Sequence, residues 1–316
     1  MADPVRVDVH MHLYPSAESG DWWKAGYEIW EYGEKQGVRF SRSSGTVGDA
    51  LAAMEKAGFS HGVAVNLLSV DLFREEALAM LPQDLHGEER AKAAAEIEAT
   101  MGERFRAANR WLVDALAPIR QLTPYVGVDP WALSPEQNVE HLREMADRGA
   151  RGIKLHPVAQ RFQPNDPRMR PVYDACEELG LVVLSHTGSA RGGEPFAEPG
   201  AFAEVLQQHP RLSVVLAHLG GGSWRQTPQL ALAFPQVRFD LCEIVEWTGA
   251  PNAPTEEDLA RLIKQVGPER VMLGTDFPWY DLDRTVELVM RLPVLSTGEK
   301  EQILGANAVA LLDLPV

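Results

Sequence analysis

Five short apolar runs each end in a residue that can bind a metal ion or carry a proton: Val7-Asp8-Val9-His10-Met11-His12, Gly152-Ile153-Lys154-Leu155-His156, Val182-Val183-Leu184-Ser185-His186, Val214-Val215-Leu216-Ala217-His218 and Val271-Met272-Leu273-Gly274-Thr275-Asp276. His10 and His12 stand two apart, so on a strand their side chains share a face. Two imidazoles on one face can hold a divalent ion at about 2.0–2.1 Å each. The alternative, strand histidines without a role, fits poorly, because Val5, Val7 and Val9 mark a strand buried on both sides. His186 and Asp276 would complete a set of three imidazoles and one carboxylate. Zn²⁺ takes such donors readily, and Mn²⁺, Fe²⁺ and Ni²⁺ stay open. Asp276 has two other readings, as the acceptor of a proton from activated water and as a cap on the following turn.

His218 precedes Leu219-Gly220-Gly221-Gly222. Glycines let a backbone come close to a substrate or a phosphate-like group, but no Lys-Ser/Thr follows, so this is not a phosphate loop. His218 itself reads as a fifth ligand, as a general acid or base beside the metal, or as a core histidine with its hydrogen bonds met. Lys154 and His156 again share a strand face. A buried ammonium must be paired, deprotonated or modified. Carbamylated, Lys154 could bridge two metals; unmodified, it could anchor a substrate carboxylate; at the rim it would merely snorkel. His156 reads as a substrate contact. Arg161, Arg191 and Arg225 follow the same strand ends and could meet an anionic substrate, although a solvated loop arginine is the commoner case. His61 falls at the far end of a strand, and His86, His141 and His209 in surface helices or turns.

The elements that must position these groups can be read from the same pattern. Near-continuous apolar runs mark buried parallel strands, and the catalytic groups of a (β/α)₈ barrel sit at the C-terminal ends of its strands. Eight strand-like segments occur, at 5–9, 61–67, 124–129, 150–155, 181–185, 212–217, 237–242 and 270–274. Helical patterns lie between most of them. Thr46 with Asp49, Ser134 with Gln137, Thr255 with Asp258 and Ser296 with Glu299 look like capping boxes, and Asp166-Pro167 like another helix start. The expected fold is a (β/α)₈ TIM barrel, one domain over 1–316, with insertions after strands one and two. The first insertion, 13–44, carries Trp22, Trp23, Tyr27, Trp30 and Tyr32; the second, 68–118, is mostly helical with its main helix at 88–116. Both should rise from the catalytic face, as a lid or pocket wall or as surfaces packed on the barrel or on a second subunit.

A net charge of −15 argues against nucleic acid, whose affinity comes from Lys and Arg on phosphates. Asp3, Arg6 and Asp8 interrupt any signal-peptide pattern, and no run approaches the ~18 apolar residues of a membrane span. A cytoplasmic protein is expected. Cys176 and Cys242 are isolated and read as small buried hydrophobes without a disulfide.

The ordered set resembles the amidohydrolase superfamily, in the amidohydrolase-related branch that includes aminocarboxymuconate-semialdehyde decarboxylase. The resemblance runs from Asp8-Val9-His10-Met11-His12 to Leu273-Gly274-Thr275-Asp276-Phe277-Pro278-Trp279 and Ile303-Leu304-Gly305-Ala306-Asn307-Ala308. It implies a distorted barrel holding one divalent ion on His10, His12, His186 and Asp276, with His218 as acid and base. Lys154 falls where binuclear members carry a carbamylated lysine, which would make a two-metal set with His218. A homodimer is usual among such relatives. The leading expectation is hydrolysis, with activated water attacking an amide, ester or lactone carbonyl of a small molecule. Non-oxidative decarboxylation of an unsaturated or aromatic acid comes second. A barrel that binds without turnover comes third, since it would not need the full acid–base set.

Overall fold

The computed structural model describes residues 5–26, 31–67, 69–190 and 196–314. Eight strands follow one another around a ring in chain order: β1 (Val7–His12), β2 (His61–Val65), β3 (Leu122–Gly127), β4 (Gly152–Leu155), β5 (Val182–Ser185), β6 (Ser213–Leu216), β7 (Arg238–Asp240) and β8 (Val271–Met272). Neighbours pair in parallel throughout. The ring is drawn together just past β8. There Val9 N donates to Leu273 O and Asp276 N to His10 O, each at 2.9 Å, and Met11 bridges Phe277. This is the expected (β/α)₈ barrel.

Helices wrap the ring: α1 (Ala17–Ala25), α2 (Val47–Ala57), α3 (Val70–Ala79), α4 (Gly87–Leu116), α5 (Pro135–Asp147), α6 (Pro157–Gln160), α7 (Arg170–Leu179), α8 (Ala203–Gln208), α9 (Thr227–Ala233), α10 (Glu256–Val266), α11 (Leu282–Arg291), α12 (Thr297–Glu301) and α13 (Asn307–Leu312). Among the described residues no helix is long and apolar enough to cross a membrane. The capping boxes of α2, α5 and α12 form as expected. At α10 the Thr255 hydroxyl accepts from Asp258 N at 3.1 Å. Asp166-Pro167 does not start a helix. The Asp166 carboxylate is taken by Arg168 N and its guanidinium, and α7 begins only at Arg170, with Pro171 in its first turn.

Val7, Val9, Val63, Val65, Val182, Leu184, Val215 and Met272 form one apolar cluster with Ala308 of α13. Residues from β2 and β6 can meet only inside the ring, so this cluster fills the barrel's lower half and α13 closes that end. Lys154 pairs in register with Leu184 and so stands on the same inward face. On β1 the register slips between Asp8 and Met11. A bulge inserts one residue and reverses the alternation beyond it, which lets His10 and His12 follow Val7 and Val9 onto the inner face.

The second insertion is helical, as expected, with α3 and α4 between β2 and β3, and the C-terminal half of α4 also serves as the crossover. Leu112, Val113 and Leu116 of α4 are buried, and Asn109 bonds both Gly127 N at 2.8 Å and Gly127 O at 2.9 Å. Within 13–44, Tyr27 and Trp30 lie outside the described residues, while Trp23 stacks on Tyr14 and Tyr32 on Trp247. His141 and His209 are buried rather than at the surface: His141 meets Asn109 and Glu144, and His209 packs on Tyr173. An amphipathic helix hides polar groups on its inner face when partners await them, and composition does not reveal those partners. Both cysteines are free, and burial pushes the Cys176 thiol up.

Glu246 is buried where the β7 exit meets α11. Burial pushes its carboxyl up to about 7, against the hydrogen bond that Thr285 Oγ1 donates and the charges of Arg284 and Lys35. The folded chain therefore holds this proton more tightly than the unfolded chain does. The stability tied to it is complete below the ordinary value of 4.5 and is lost as pH rises to about 7. At ~1.4 kcal/mol per unit, the loss is on the order of 3 kcal/mol. Glu246→Gln should match the parent in urea unfolding at pH 4.5 and exceed it by about 2–3 kcal/mol at pH 8. Equal stability at both pH values would refute this.

Candidate active site

The strand ends meet at one mouth. Asp276 Oδ1 lies 3.1 Å from His12 Nε2 and 3.5 Å from His10 Nε2. Two ligands each about 2.0–2.1 Å from a tetrahedral ion stand roughly 3.3 Å apart, so each imidazole is spaced from the carboxylate as ligands of one ion are. The His10 and His12 rings are 5.2 Å apart, His218 is 5.6 Å from His10, and His186 is 4.8 Å from His218. His156 stacks flat on His186 at 3.9 Å. The six residues expected from four strand ends and the β1 pair thus share one cluster, joined by Lys154, whose Nζ reaches His10 Nε2 at 2.7 Å.

Burial sets the protonation of this cluster. It lowers His10, His156 and His186 well below the usual imidazole value, and it lowers His12 despite the hydrogen bond to Asp276. Neutral imidazoles are the form a metal needs. Burial alone would raise Asp276, but the His12 hydrogen bond and the neighbouring imidazoles outweigh it and hold this carboxyl below the ordinary range. Lys154 is also lowered by burial. One lone pair per imidazole and an ionised carboxylate fit a divalent cation.

Asp240 was not singled out from the sequence, yet it organises the site. Its Oδ2 is 3.0 Å from His10 Nδ1, and its Oδ1 accepts from His218 N at 2.8 Å and Cys242 N at 3.2 Å. A carboxylate only accepts, so His10 carries its proton on Nδ1, and its Nε2 lone pair accepts from Lys154 Nζ at 2.7 Å, with Asp276 Oδ1 3.5 Å away. The signal was present, because the run Val237-Arg238-Phe239-Asp240 ends, as the other five runs do, in a residue that can bind a metal ion or carry a proton. Cys242 corrects a second expectation. It is buried, but its Sγ lies 3.0 Å from His10 Nδ1 and 3.1 Å from His218 Nδ1 and within 4.8 Å of an Asp276 carboxylate oxygen, so it borders the polar cluster. Burial raises its thiol well above the ordinary value.

His218 and Asp276 both hold left-handed backbone, with φ of 60° and 57°. Such conformations cost on the order of 1–3 kcal/mol each and persist only where the surroundings fix them; here Asp240 bonds His218 N, and His10 O accepts from Asp276 N. His156 caps α6, its Nδ1 accepting from Ala159 N at 3.2 Å, which leaves its proton on Nε2. Two expected arginines stay away: Arg161 is exposed near Asp71, and Arg225 lies over Trp224 at 4.2 Å. Arg191 lies outside the described residues.

Replacing Asp240 by Asn keeps its volume but offers His10 Nδ1 only a half-matched partner. Competition with a chromophoric chelator should show divalent-metal affinity falling 10–100-fold in Asp240→Asn. Unchanged affinity would show that Asp240 does not set the His10 tautomer.

Known structures share the fold. A 5-carboxyvanillate decarboxylase from Sphingomonas paucimobilis superposes with a TM-score of 0.65 at 14% identity, covering 99% of this chain and 100% of that one. A dihydroxybenzoic acid decarboxylase from Polaromonas sp. JS666, with bound manganese, gives 0.64 at 14% over 98% and 97%. A Pseudomonas putida protein assigned as a 2-pyrone-4,6-dicarboxylic acid hydrolase gives 0.62 at 20% over the whole of both chains. In sequence, the 2-amino-3-carboxymuconate-6-semialdehyde decarboxylase of Dictyostelium discoideum is 27% identical over 239 residues, 65% of this chain and 66% of its own length. That of Caenorhabditis elegans is 27% identical over 176 residues, 44% of this chain and 42% of its own. The chain thus spans less than two thirds of the length of either. The amidohydrolase family model matches residues 7–314, from the first strand to beyond the last helix, and the chain belongs to that family.

Proposed function

We propose that this chain is a metal-dependent decarboxylase of a small unsaturated or aromatic carboxylic acid. The observation that carries this reading is that the matched relatives from D. discoideum and C. elegans are both decarboxylases. Sequence reasoning put hydrolysis first and decarboxylation second; these relatives support the reverse order.

His10, His12, His186 and Asp276 would hold one divalent ion. Three imidazoles and a carboxylate suit Zn²⁺ and Mn²⁺ alike, and the Polaromonas neighbour contains manganese. Polarisation of substrate oxygen atoms is the chemistry such an ion supplies there. His218 is the proton carrier. Its Nδ1 donates to Cys242 O at 3.2 Å, which leaves Nε2 as the atom that takes a proton and gives it up. Lys154 and His156 Nε2–H face the same mouth and orient the acid. The proton goes to the carbon that bears the carboxylate. The bond from that carbon to the carboxylate breaks, its electron pair stays with the carbon skeleton, and the carboxylate leaves as neutral CO₂. Hydrolysis of a lactone, ester or amide would draw on the same donors.

Metal analysis of chelator-free protein should give about one transition-metal equivalent per chain; two would assign Lys154 a bridging role. With metal-loaded protein, CO₂ should appear from one or more members of a panel of dihydroxybenzoic and carboxymuconate-type acids. Turnover of lactones, esters or amides without CO₂ would make the chain a hydrolase. His218→Ala should keep its metal and lose 10²–10⁴-fold in turnover; a variant that loses the ion instead would make His218 a ligand.

A further inference from the structure

Glu31 comes from the segment after β1 rather than from any strand, and it is buried. Its Oε2 accepts the backbone N–H of Ser189 and of Gly222, each at 2.9 Å. Ser189 lies on the exit of β5 just past His186, and Gly222 on the exit of β6 just past His218. One carboxylate oxygen therefore bonds both exits at once. Glycines on those exits make the room. A Cβ at Gly188 would stand 2.4 Å from Glu31 Oε2, and its three nearest atoms would all belong to Glu31. At Gly221 a Cβ would meet Oε1 at 2.8 Å, and at Gly222 it would meet Oε2 at 3.1 Å. The run Gly220-Gly221-Gly222, read from the sequence as room for a substrate, instead admits the chain's own carboxylate at Gly221 and Gly222.

The other side of Glu31 is fixed as well. Asn252, on the exit of β7, donates its Nδ2 to Glu31 O at 3.1 Å and its backbone N to Tyr32 O at 3.0 Å. The Glu31–Tyr32 segment thus crosses the exits of β5, β6 and β7. Ser189 Oγ and Ser223 Oγ, 2.8 Å apart, give the two histidine exits a second tie, so removing the carboxylate loosens them without freeing them.

We propose that Glu31 is a positioning residue: by accepting from Ser189 and Gly222 it fixes the exits of β5 and β6 against each other and so sets where the imidazoles of His186 and His218 stand. The proposal rests on the reading above of His186 as a metal ligand and His218 as the proton carrier.

The test compares Glu31→Ala, Gly188→Ala and the double variant by two measurements that need no turnover. The first is Mn²⁺ affinity by chelator competition. The second is amide exchange of peptides spanning 187–190 and 219–223 in metal-free protein. Each single variant should bind Mn²⁺ 10–100-fold more weakly and exchange faster in both peptides, with β5 and β6 unchanged. Because the three atoms nearest the Gly188 methyl all belong to Glu31, the double variant should be no worse than Glu31→Ala alone, within about twofold. Unaltered affinity in Glu31→Ala, or losses that multiply in the double variant, would overturn the proposal. If Glu31→Ala does not fold, Gly188→Ala reads the same contact from its other side. Parent protein that binds Mn²⁺ yet releases no CO₂ defeats the decarboxylase reading alone. Parent protein that binds no Mn²⁺ defeats the metal reading, and exchange in the two peptides then decides the role of Glu31.

Discussion

The site depends on the seam where the first strand meets the last. Asp8 and Thr275 are 267 positions apart, yet the buried Asp8 carboxylate accepts from Thr275 N at 3.1 Å, from Thr275 Oγ1, and from His10 N at 2.9 Å. Burial still raises this carboxyl to about 7, so the three hydrogen bonds only partly offset what it costs to hide the group. Its place between β1 and β8 draws the ring together and sets His10 and His12 against Asp276. No shorter segment of the chain contains that triad. The donor set therefore exists only once all eight strands have found their order, which couples metal affinity to folding.

The seam fixes one half of the mouth, and the strand exits fix the other. β5 and β6 end one residue before His186 and two residues before His218, so neither ring is held by ladder bonds alone. His186 keeps one backbone bond, from its N to Leu155 O at 2.9 Å. His218 turns through a left-handed conformation onto Asp240. Groups beyond the last ladder bond need support from side chains if their geometry is to stay within the fraction of an ångström that catalysis requires. Asp240 gives that support from below, as part of β7. Contacts from the segment after β1 come from above.

Much of this was legible because apolar runs and their last residues carry both signals together. The runs at 150–155, 181–185 and 212–217 foretold β4, β5 and β6 to within two residues at either end, since a strand buried on both faces leaves no polar positions to confuse its limits. The meeting of His10, His12 and Asp276 followed from strand order alone. What stayed hidden depends on partners remote in sequence. Asp240 looks like any acid until His10 is placed beside it. The glycines after His218 signal close approach without saying by what, and the visitor was Glu31. The segment at 68–118 reads as a helical insertion, but that the C-terminal half of α4, with Leu112, Val113 and Leu116 buried, doubles as the crossover depends on what it packs against.

Charge explains why such a mouth suits a cation. Asp240, Glu243 and Asp276 are buried there, and Lys154 is the one buried lysine or arginine among the described residues. Burial leaves the imidazoles of His10, His12, His156 and His186 neutral, so they cannot balance those carboxylates. Holding several carboxylates together out of water is costly, and a further anion brought in by a substrate would be repelled. A divalent cation on the His10, His12 and Asp276 atoms removes both objections at once. In the decarboxylation proposed above, a cation held there and Lys154 would offset the charge of the acid, while His218 gives its proton to the carbon that bears the carboxylate and the bond to CO₂ breaks with its electron pair kept by the carbon skeleton.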